Sequence, residues 1–180
     1  RSGTTLVYEY IVHRLRVSYF TNRAGHYYLS PCLVTNLQRE NLDKYHSDFI
    51  SQYGKVHGPL APREAGAIWG RFFDLQEYVK FQDMSPEAIQ TLQNTVACIQ
   101  HLFGDLPFVN KNVKHMLRID ALRKVFPNAY FLVVERELSQ VALSVLRGRY
   151  TNLEDPTRWW SVKPPNYMEL KDLPIIEQVV

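Results

Sequence analysis

The chain has 180 residues, of which 46% are hydrophobic and 22% are charged, and its formal net charge is +3. This length and apolar content predict a single globular domain over residues 1–180 and exclude global disorder. The longest uninterrupted apolar run, Ala129 to Val134, is far shorter than the roughly 20 residues of a membrane-spanning helix. We therefore expect no membrane span within this chain. The net charge is too small to indicate a nucleic-acid-binding surface, so we expect no nucleic-acid partner either. Two cysteines cannot form a disulfide framework, which is typical of a reducing compartment, and we expect a cytoplasmic location.

The N-terminal part of the chain predicts one clear helix. Gly3 allows the backbone to turn tightly into a helical pattern that runs from Thr4 to Arg16. Residues 17–62 are rich in Tyr, Pro, Asn and His, and we expect short helices mixed with irregular segments there. Residues 17–84 as a whole are predicted to be a largely helical insertion on the acceptor side of the domain. The predicted buried face of the first helix is formed by Val7, Tyr10, Ile11 and Leu15.

The middle of the chain carries the strongest helix start. Ser85-Pro86-Glu87 combines an N-cap serine with proline at the first helical position and an acid in the first turn. A short strand is predicted over Phe108–Asn110 and a helix over Met116–Phe126. The helix that begins at Ser85 is predicted to end at Gly104 and to bury Ile89, Leu92, Val96, Ile99 and Phe103.

The run Ala129 to Val134 is continuously apolar and is bounded by a turn, which favours a strand buried on both faces. A helix over Leu138–Arg149 follows it. The order helix, strand, helix, strand, helix predicts an α/β fold in three layers, with a central parallel sheet and helices on both faces. In such folds ligands bind at the carboxyl ends of the strands, which is where Glu135 and Arg136 lie.

Two segments are candidate anion-binding sites. Arg136 stands at a strand-to-helix junction, where backbone N–H groups and the helix dipole favour an anion, and Ser144 follows eight residues later. Taken alone, an arginine such as Arg136 is more often a solvated loop residue, and a serine such as Ser144 is more often a small helix-packing residue. The second segment is Arg1-Ser2-Gly3-Thr4-Thr5, whose hydroxyls and amides can surround phosphate-like oxygens at the start of a helix.

Together these two segments resemble the sulfotransferase family, with a pattern closest to its bacterial members. The run from Phe108 to Ala129 is similar to the family's strand-Lys, helix, Phe-Pro-x-Ala segment, and residues 159–165 and 53–69 add further similarity. The resemblance implies a P-loop-like α/β fold and the donor 3′-phosphoadenosine 5′-phosphosulfate as co-substrate, without a metal ion. It also implies transfer of a sulfuryl group to an acceptor hydroxyl or amine by in-line displacement.

The resemblance implies roles for individual residues. Arg1 and Lys111 would act on the charge that develops on the leaving phosphate, and Arg136 and Ser144 would hold the 3′-phosphate. Lys111 can also be interpreted as an ordinary surface lysine. The donor's 5′-phosphosulfate would be bound by Arg1, Ser2, Gly3, Thr4 and Thr5.

An acceptor needs a general base, and four residues are candidates. Glu64 is preferred because Pro62 to Trp69 resembles a Pro-x-Glu-x-Gly-x-x-Trp element of related bacterial proteins. It can equally be a first-turn glutamate that stabilises a helix N-terminus. The other three candidates are His26, His57 and His115.

The sequence also departs from the family pattern. Arg136-Glu137-Leu138 stands where the family usually has Arg-Asp-Pro, and Asn112-Val113 follows Lys111 where x-Pro is common. The first residues lie inside a ligand-binding loop and the last ones continue a helical pattern, so we expect the family domain to extend beyond both ends.

Two other function classes remain open. A P-loop kinase or NTPase would need a lysine after Gly3 and an aspartate for magnesium, and the sequence has neither in place. A non-catalytic, nucleotide-binding sulfotransferase-like domain is the third possibility. The acceptor, which is a small molecule, carbohydrate, lipid or peptide, and the oligomeric state are not predicted.

Overall fold

The computed structural model describes residues 3–52, 55–73, 78–160 and 162–179. These residues form two compact units, one within Thr5–Tyr130 and the other within Phe131–Val180 together with Gly3 and Thr4. Helices dominate both units. The helices of the described chain are α1 Thr4–Arg14, α2 Asn22–His26, α3 Pro31–Leu37, α4 Gly66–Trp69, α5 Pro86–Leu102, α6 Ile119–Val125, α7 Leu138–Asn152 and α8 Tyr167–Leu170.

Little strand structure accompanies these helices. Two-residue strands β1 Ser51–Gln52 and β2 Lys55–Val56 form an antiparallel pair. Single bridges join Ser18 to Phe108 in parallel and Thr21 to Pro62 in antiparallel orientation. Within the described ranges no larger sheet is present. The predicted three-layer, P-loop-like α/β fold with a central parallel sheet is therefore wrong, and the protein is mostly helical.

The segment on which that prediction depended most is Ala129 to Val134, and it is not a strand. Tyr130 is fully exposed, and Leu132 and Val133 are 70% and 76% exposed. A strand needs backbone hydrogen bonds to a neighbouring strand, and no described residue forms such a ladder with this segment. The apolar composition of the run suits a buried strand, but it does not show whether a neighbouring strand is present to pair with it.

Helices with strong local capping were predicted correctly. The Ser85 hydroxyl accepts a hydrogen bond from the Ala88 N–H at 3.1 Å, and α5 begins at Pro86 as expected. Its predicted apolar face packs into the main core, where Leu92, Val96 and Ile99 are buried. Helices α1, α6 and α7 cover most of their predicted ranges, and short helices occupy residues 17–62 as predicted.

The predicted buried face of α1 is wrong in two of its four residues, whereas Val7 and Ile11 are partly buried. Tyr10 and Leu15 are more than half exposed, and the helix buries Tyr8, Glu9 and Val12 instead. The helix is apolar on several sides, so hydropathy did not select one face. Polar contacts with the rest of the unit do: the Tyr8 hydroxyl donates to the Val109 carbonyl at 3.4 Å, and Glu9 accepts from Ser47 at 2.8 Å.

Candidate functional site

Three predicted site residues from distant parts of the chain meet within the Thr5–Tyr130 unit. The Lys111 Nζ donates a hydrogen bond to the Thr5 hydroxyl at 3.2 Å and forms an ion pair with the Glu64 carboxylate. The side chains of Lys111 and Glu64 are only 14% and 30% exposed. Lys111 is thus not an ordinary surface lysine, since its charge is paired in a partly dehydrated place.

Lys111 is brought there by the extended segment that begins at Phe108. The Ser18 N–H donates to the Pro107 carbonyl and the Val109 N–H donates to the Ser18 carbonyl, both at 2.8 Å. These two bonds bind the segment to residues in front of α2. Lys111 thereby lies beside Thr5 in the first turn of α1, where the helix dipole adds positive potential to that of the ammonium group.

Glu64 lies at the end of a loop that is held along its length. The Asn22 N–H donates to the Ala61 carbonyl at 2.8 Å, and the Arg63 N–H donates to the Phe20 carbonyl at 2.9 Å. The Asn22 side chain donates to the Gly58 carbonyl at 2.8 Å. Because these bonds hold backbone groups of Gly58, Ala61 and Arg63, the loop has a defined path up to Glu64.

The residue after Glu64 adopts an unusual backbone conformation. Ala65 has φ 53° and ψ 41°, in the left-handed region, and is almost completely buried. For a residue with a Cβ this costs about 1–3 kcal/mol, so surrounding contacts must hold it. Helix α4 begins at Gly66, directly after this turn, so Glu64 precedes the helix and is not in its first turn.

Two asparagines on either side of Lys111 hold the backbone of this turn. The Asn110 amide donates to the Arg63 carbonyl at 3.1 Å, and the Asn112 amide donates to the Glu64 carbonyl, also at 3.1 Å. The Asn112 Oδ1 in turn accepts from the Lys114 N–H at 2.9 Å. We did not predict these residues, although the alternation Asn-Lys-Asn in an extended segment is the sequence feature that marks them.

His115 belongs to the same network and is not suited to be the base. Its Nε2 lies 2.9 Å from the Asn110 Oδ1, which also accepts from the Trp69 indole N–H at 2.9 Å. Burial, and secondarily the Arg118 charge, lower the pKa of His115 to about 3. The ring is therefore neutral near pH 7, and its Nε2 carries the proton that Asn110 accepts. Trp69 itself is a core residue.

The remaining base candidates are solvent-exposed. His26 lies at the end of α2 with its ring against Tyr27, and His57 lies in the loop after β2. Among the described residues, no hydrogen bond or ion pair joins either histidine to Lys111. Glu64 is the base candidate that the structure brings to Lys111.

The other predicted donor-site residues lie elsewhere or cannot be described. Arg136 and Ser144 belong to the Phe131–Val180 unit: Arg136 precedes α7 and contacts Gln140 at 3.4 Å, and Ser144 is partly buried inside that helix. Arg1 and Ser2 lie outside the described residues. Gly3 has φ 84°, which confirms the predicted tight turn, and α1 begins at Thr4.

Two general features concern metals and membranes. Across the described residues, no group of three or more His, Cys, Asp or Glu side chains is arranged to hold a metal ion. In the same part of the chain no helix is long and apolar enough to cross a membrane.

Comparison of the chain with protein-family models, with curated proteins and with solved structures found no match.

Proposed function

We propose that the protein is a sulfotransferase that moves a sulfuryl group from 3′-phosphoadenosine 5′-phosphosulfate to an acceptor hydroxyl or amine. The observation that carries the proposal is the meeting of Thr5, Glu64 and Lys111. A cation, a hydroxyl and a carboxylate at the start of a helix are the groups that an anionic donor and a protonated acceptor require together.

The proposed reaction is an in-line displacement at sulfur. The acceptor oxygen or nitrogen attacks the sulfur atom while the bond from sulfur to the 5′-phosphate oxygen breaks, and its electron pair stays on the phosphate. Glu64 takes the acceptor's proton, and the Lys111 ammonium balances the negative charge that grows on the leaving phosphate. The donor would displace Glu64 from part of its contact with Lys111, so that the carboxylate becomes available to the acceptor.

Arg136 and Ser144 are proposed to bind the donor's 3′-phosphate. The planar guanidinium can donate two hydrogen bonds to one phosphate, and Arg136 directly precedes the N-terminus of α7, a helix of 15 residues. A site for this phosphate distinguishes the donor from AMP and ATP, which lack it.

Binding of 3′-phosphoadenosine 5′-phosphate, measured by isothermal titration against AMP, tests the proposal. We expect the bisphosphate to bind at least about tenfold more tightly, which corresponds to about 1.4 kcal/mol. Arg136→Ala should abolish this preference, whereas Arg147→Ala, which changes an exposed arginine of the same helix, should preserve it. Equal affinity for the two nucleotides in the unaltered protein would contradict the proposal.

A second arm of the experiment addresses Lys111. We expect Lys111→Met to weaken binding of the bisphosphate by about tenfold or more, because an ionic hydrogen bond to phosphate is lost. Lys44→Met is the matched control, since Lys44 is exposed and its Nζ contacts only the Asn41 side chain in the described residues. Magnesium-dependent hydrolysis of ATP by the protein would favour the nucleoside triphosphate alternative instead.

A further inference from the structure

The turn that carries Glu64 is held from one side by the segment that carries Lys111. Asn110 and Asn112 flank the lysine, and their amides donate to two successive carbonyls, those of Arg63 and Glu64. The two partners of the ion pair therefore lie on two pieces of backbone that are joined by a pair of hydrogen bonds. Glu64 and Lys111 are far apart in sequence, so the connecting chain does not fix the distance between them. The two hydrogen bonds from Asn110 and Asn112 do fix it.

The orientation of the Asn110 amide is determined by its other neighbours. Its Oδ1 accepts hydrogen bonds from the Trp69 indole N–H and from the His115 Nε2–H, both at 2.9 Å. Since an indole can only donate, the oxygen must face Trp69 and the NH₂ group must face the Arg63 carbonyl. The rings of Trp69 and His115 pack edge to face, with centroids 4.6 Å apart, which holds both donors in place.

The turn needs this support because Ala65 lies in the left-handed region with φ 53°. A residue with a Cβ leaves this conformation readily unless neighbouring groups hold it. The carbonyls that Asn110 and Asn112 bind belong to the two residues immediately before Ala65. If they were released, the turn could relax and the Glu64 carboxylate would move away from Lys111.

We propose that Asn110 and Asn112 are positioning residues, which hold the Glu64 carboxylate on the Lys111 ammonium by fixing the Arg63–Ala65 turn. The functional meaning of this inference rests on the proposed sulfuryl transfer, in which Glu64 and Lys111 act on acceptor and donor. The positioning itself is a property of the turn and can be measured without substrate.

The test uses two nearly isosteric variants, Asn110→Asp and Asn112→Asp. Each keeps the accepting oxygen, on which Trp69, His115 or the Lys114 N–H depends, and each replaces the donating NH₂ by an oxygen that repels the turn carbonyl. Asn94→Asp is the matched control, because Asn94 is exposed on α5 and its replacement adds the same charge far from the turn in sequence.

Acetylation of Lys111, followed by mass spectrometry of its peptide, reports the ion pair directly. In the unaltered protein we expect Lys111 to react at least about tenfold more slowly than an exposed lysine such as Lys44. In both variants its reactivity should rise about tenfold, the factor that corresponds to one lost hydrogen bond of about 1.4 kcal/mol. Asn94→Asp should leave it unchanged. Unchanged Lys111 reactivity in folded Asn110→Asp and Asn112→Asp would overturn the proposal.

Nitrogen NMR of the His115 ring separates positioning from a general loss of structure. We expect a neutral ring with the proton on Nε2 in the unaltered protein, and the same spectrum in Asn112→Asp, because the ring Nε2 binds Asn110 and not Asn112. Asn110→Asp should shift the Nε2 resonance. If His115 in the unaltered protein is charged near pH 7 or carries its proton on Nδ1, the network is wrong, whether or not the variants fold.

The two proposals fail in different ways. If the unaltered protein binds 3′-phosphoadenosine 5′-phosphate no more tightly than AMP, the sulfotransferase function is refuted, while the reactivity of Lys111 is still as expected. Unprotected Lys111 in the unaltered protein would refute the positioning role while leaving nucleotide binding to be judged separately.

Discussion

His115 gives the protein a specific sensitivity to acid. Its pKa is lowered from an ordinary 6.5 to about 3, chiefly by burial and further by the Arg118 charge. The Nδ1 atom is buried and has no hydrogen-bond partner among the described residues, so a proton placed there would have no acceptor. In the unfolded chain the ring is hydrated and takes up that proton at its ordinary pKa.

The sign and size of the effect follow from these two pKa values. Between pH 6.5 and about 3 the unfolded state binds more protons than the folded state, so the free energy of unfolding decreases as the pH falls. For this one group the change from pH 7 to pH 5 is about 2 kcal/mol. That amount is a large fraction of the stability of an ordinary domain.

Urea unfolding followed by circular dichroism at pH 7, 6 and 5 measures this contribution. We expect His115→Gln to lose about 2 kcal/mol less than the unaltered protein between pH 7 and pH 5. Glutamine retains an N–H donor for the Asn110 oxygen but cannot take up a proton. His57→Gln, at an exposed position, is the control for removing a histidine. Equal pH dependence in His115→Gln and the unaltered protein would show that His115 does not have a lowered pKa in the folded state.

Two further predictions concern packing and charge. Glu64→Gln and Lys111→Met should each destabilise the protein by about 1–3 kcal/mol, because either change leaves a partly buried charge unpaired. The double variant should therefore lose about 1 kcal/mol less than the sum of the two single losses. Additive losses of unfolding free energy, measured by urea unfolding, would argue against the ion pair. Gly148→Ala should lower the free energy of unfolding by about 1–3 kcal/mol, because the added Cβ would overlap the Trp160 ring. Ser139→Ala, on the exposed side of the same helix, is the control and should change this free energy by less than about 0.5 kcal/mol. Thermal unfolding with the same midpoint for Gly148→Ala and the unaltered protein would show that Trp160 does not pack against Gly148.

The candidate site could be predicted in part. The family resemblance implied site roles for Lys111, Glu64 and Thr5, and the structure places these residues in contact. The Asn-Lys-Asn alternation marks Asn110 and Asn112 in the sequence, but their role depends on the carbonyls that they reach in the folded chain. The sequence could not exclude His115 as the general base, because the burial that lowers the pKa of this histidine arises only in the folded chain.

Local sequence is sufficient to predict the longer helices α1, α5 and α7. Helix α5 begins where Ser85-Pro86-Glu87 predicts and buries three of the five predicted residues, because capping and the i to i−4 hydrogen bonds of a helix connect neighbours in the chain. Contacts between distant parts of the chain determine that Ala129 to Val134 is not a strand and that α1 buries Tyr8 instead of Tyr10. A strand's hydrogen bonds and a helix's buried face both depend on partners that are distant in sequence, and the same dependence brings Glu64 to Lys111.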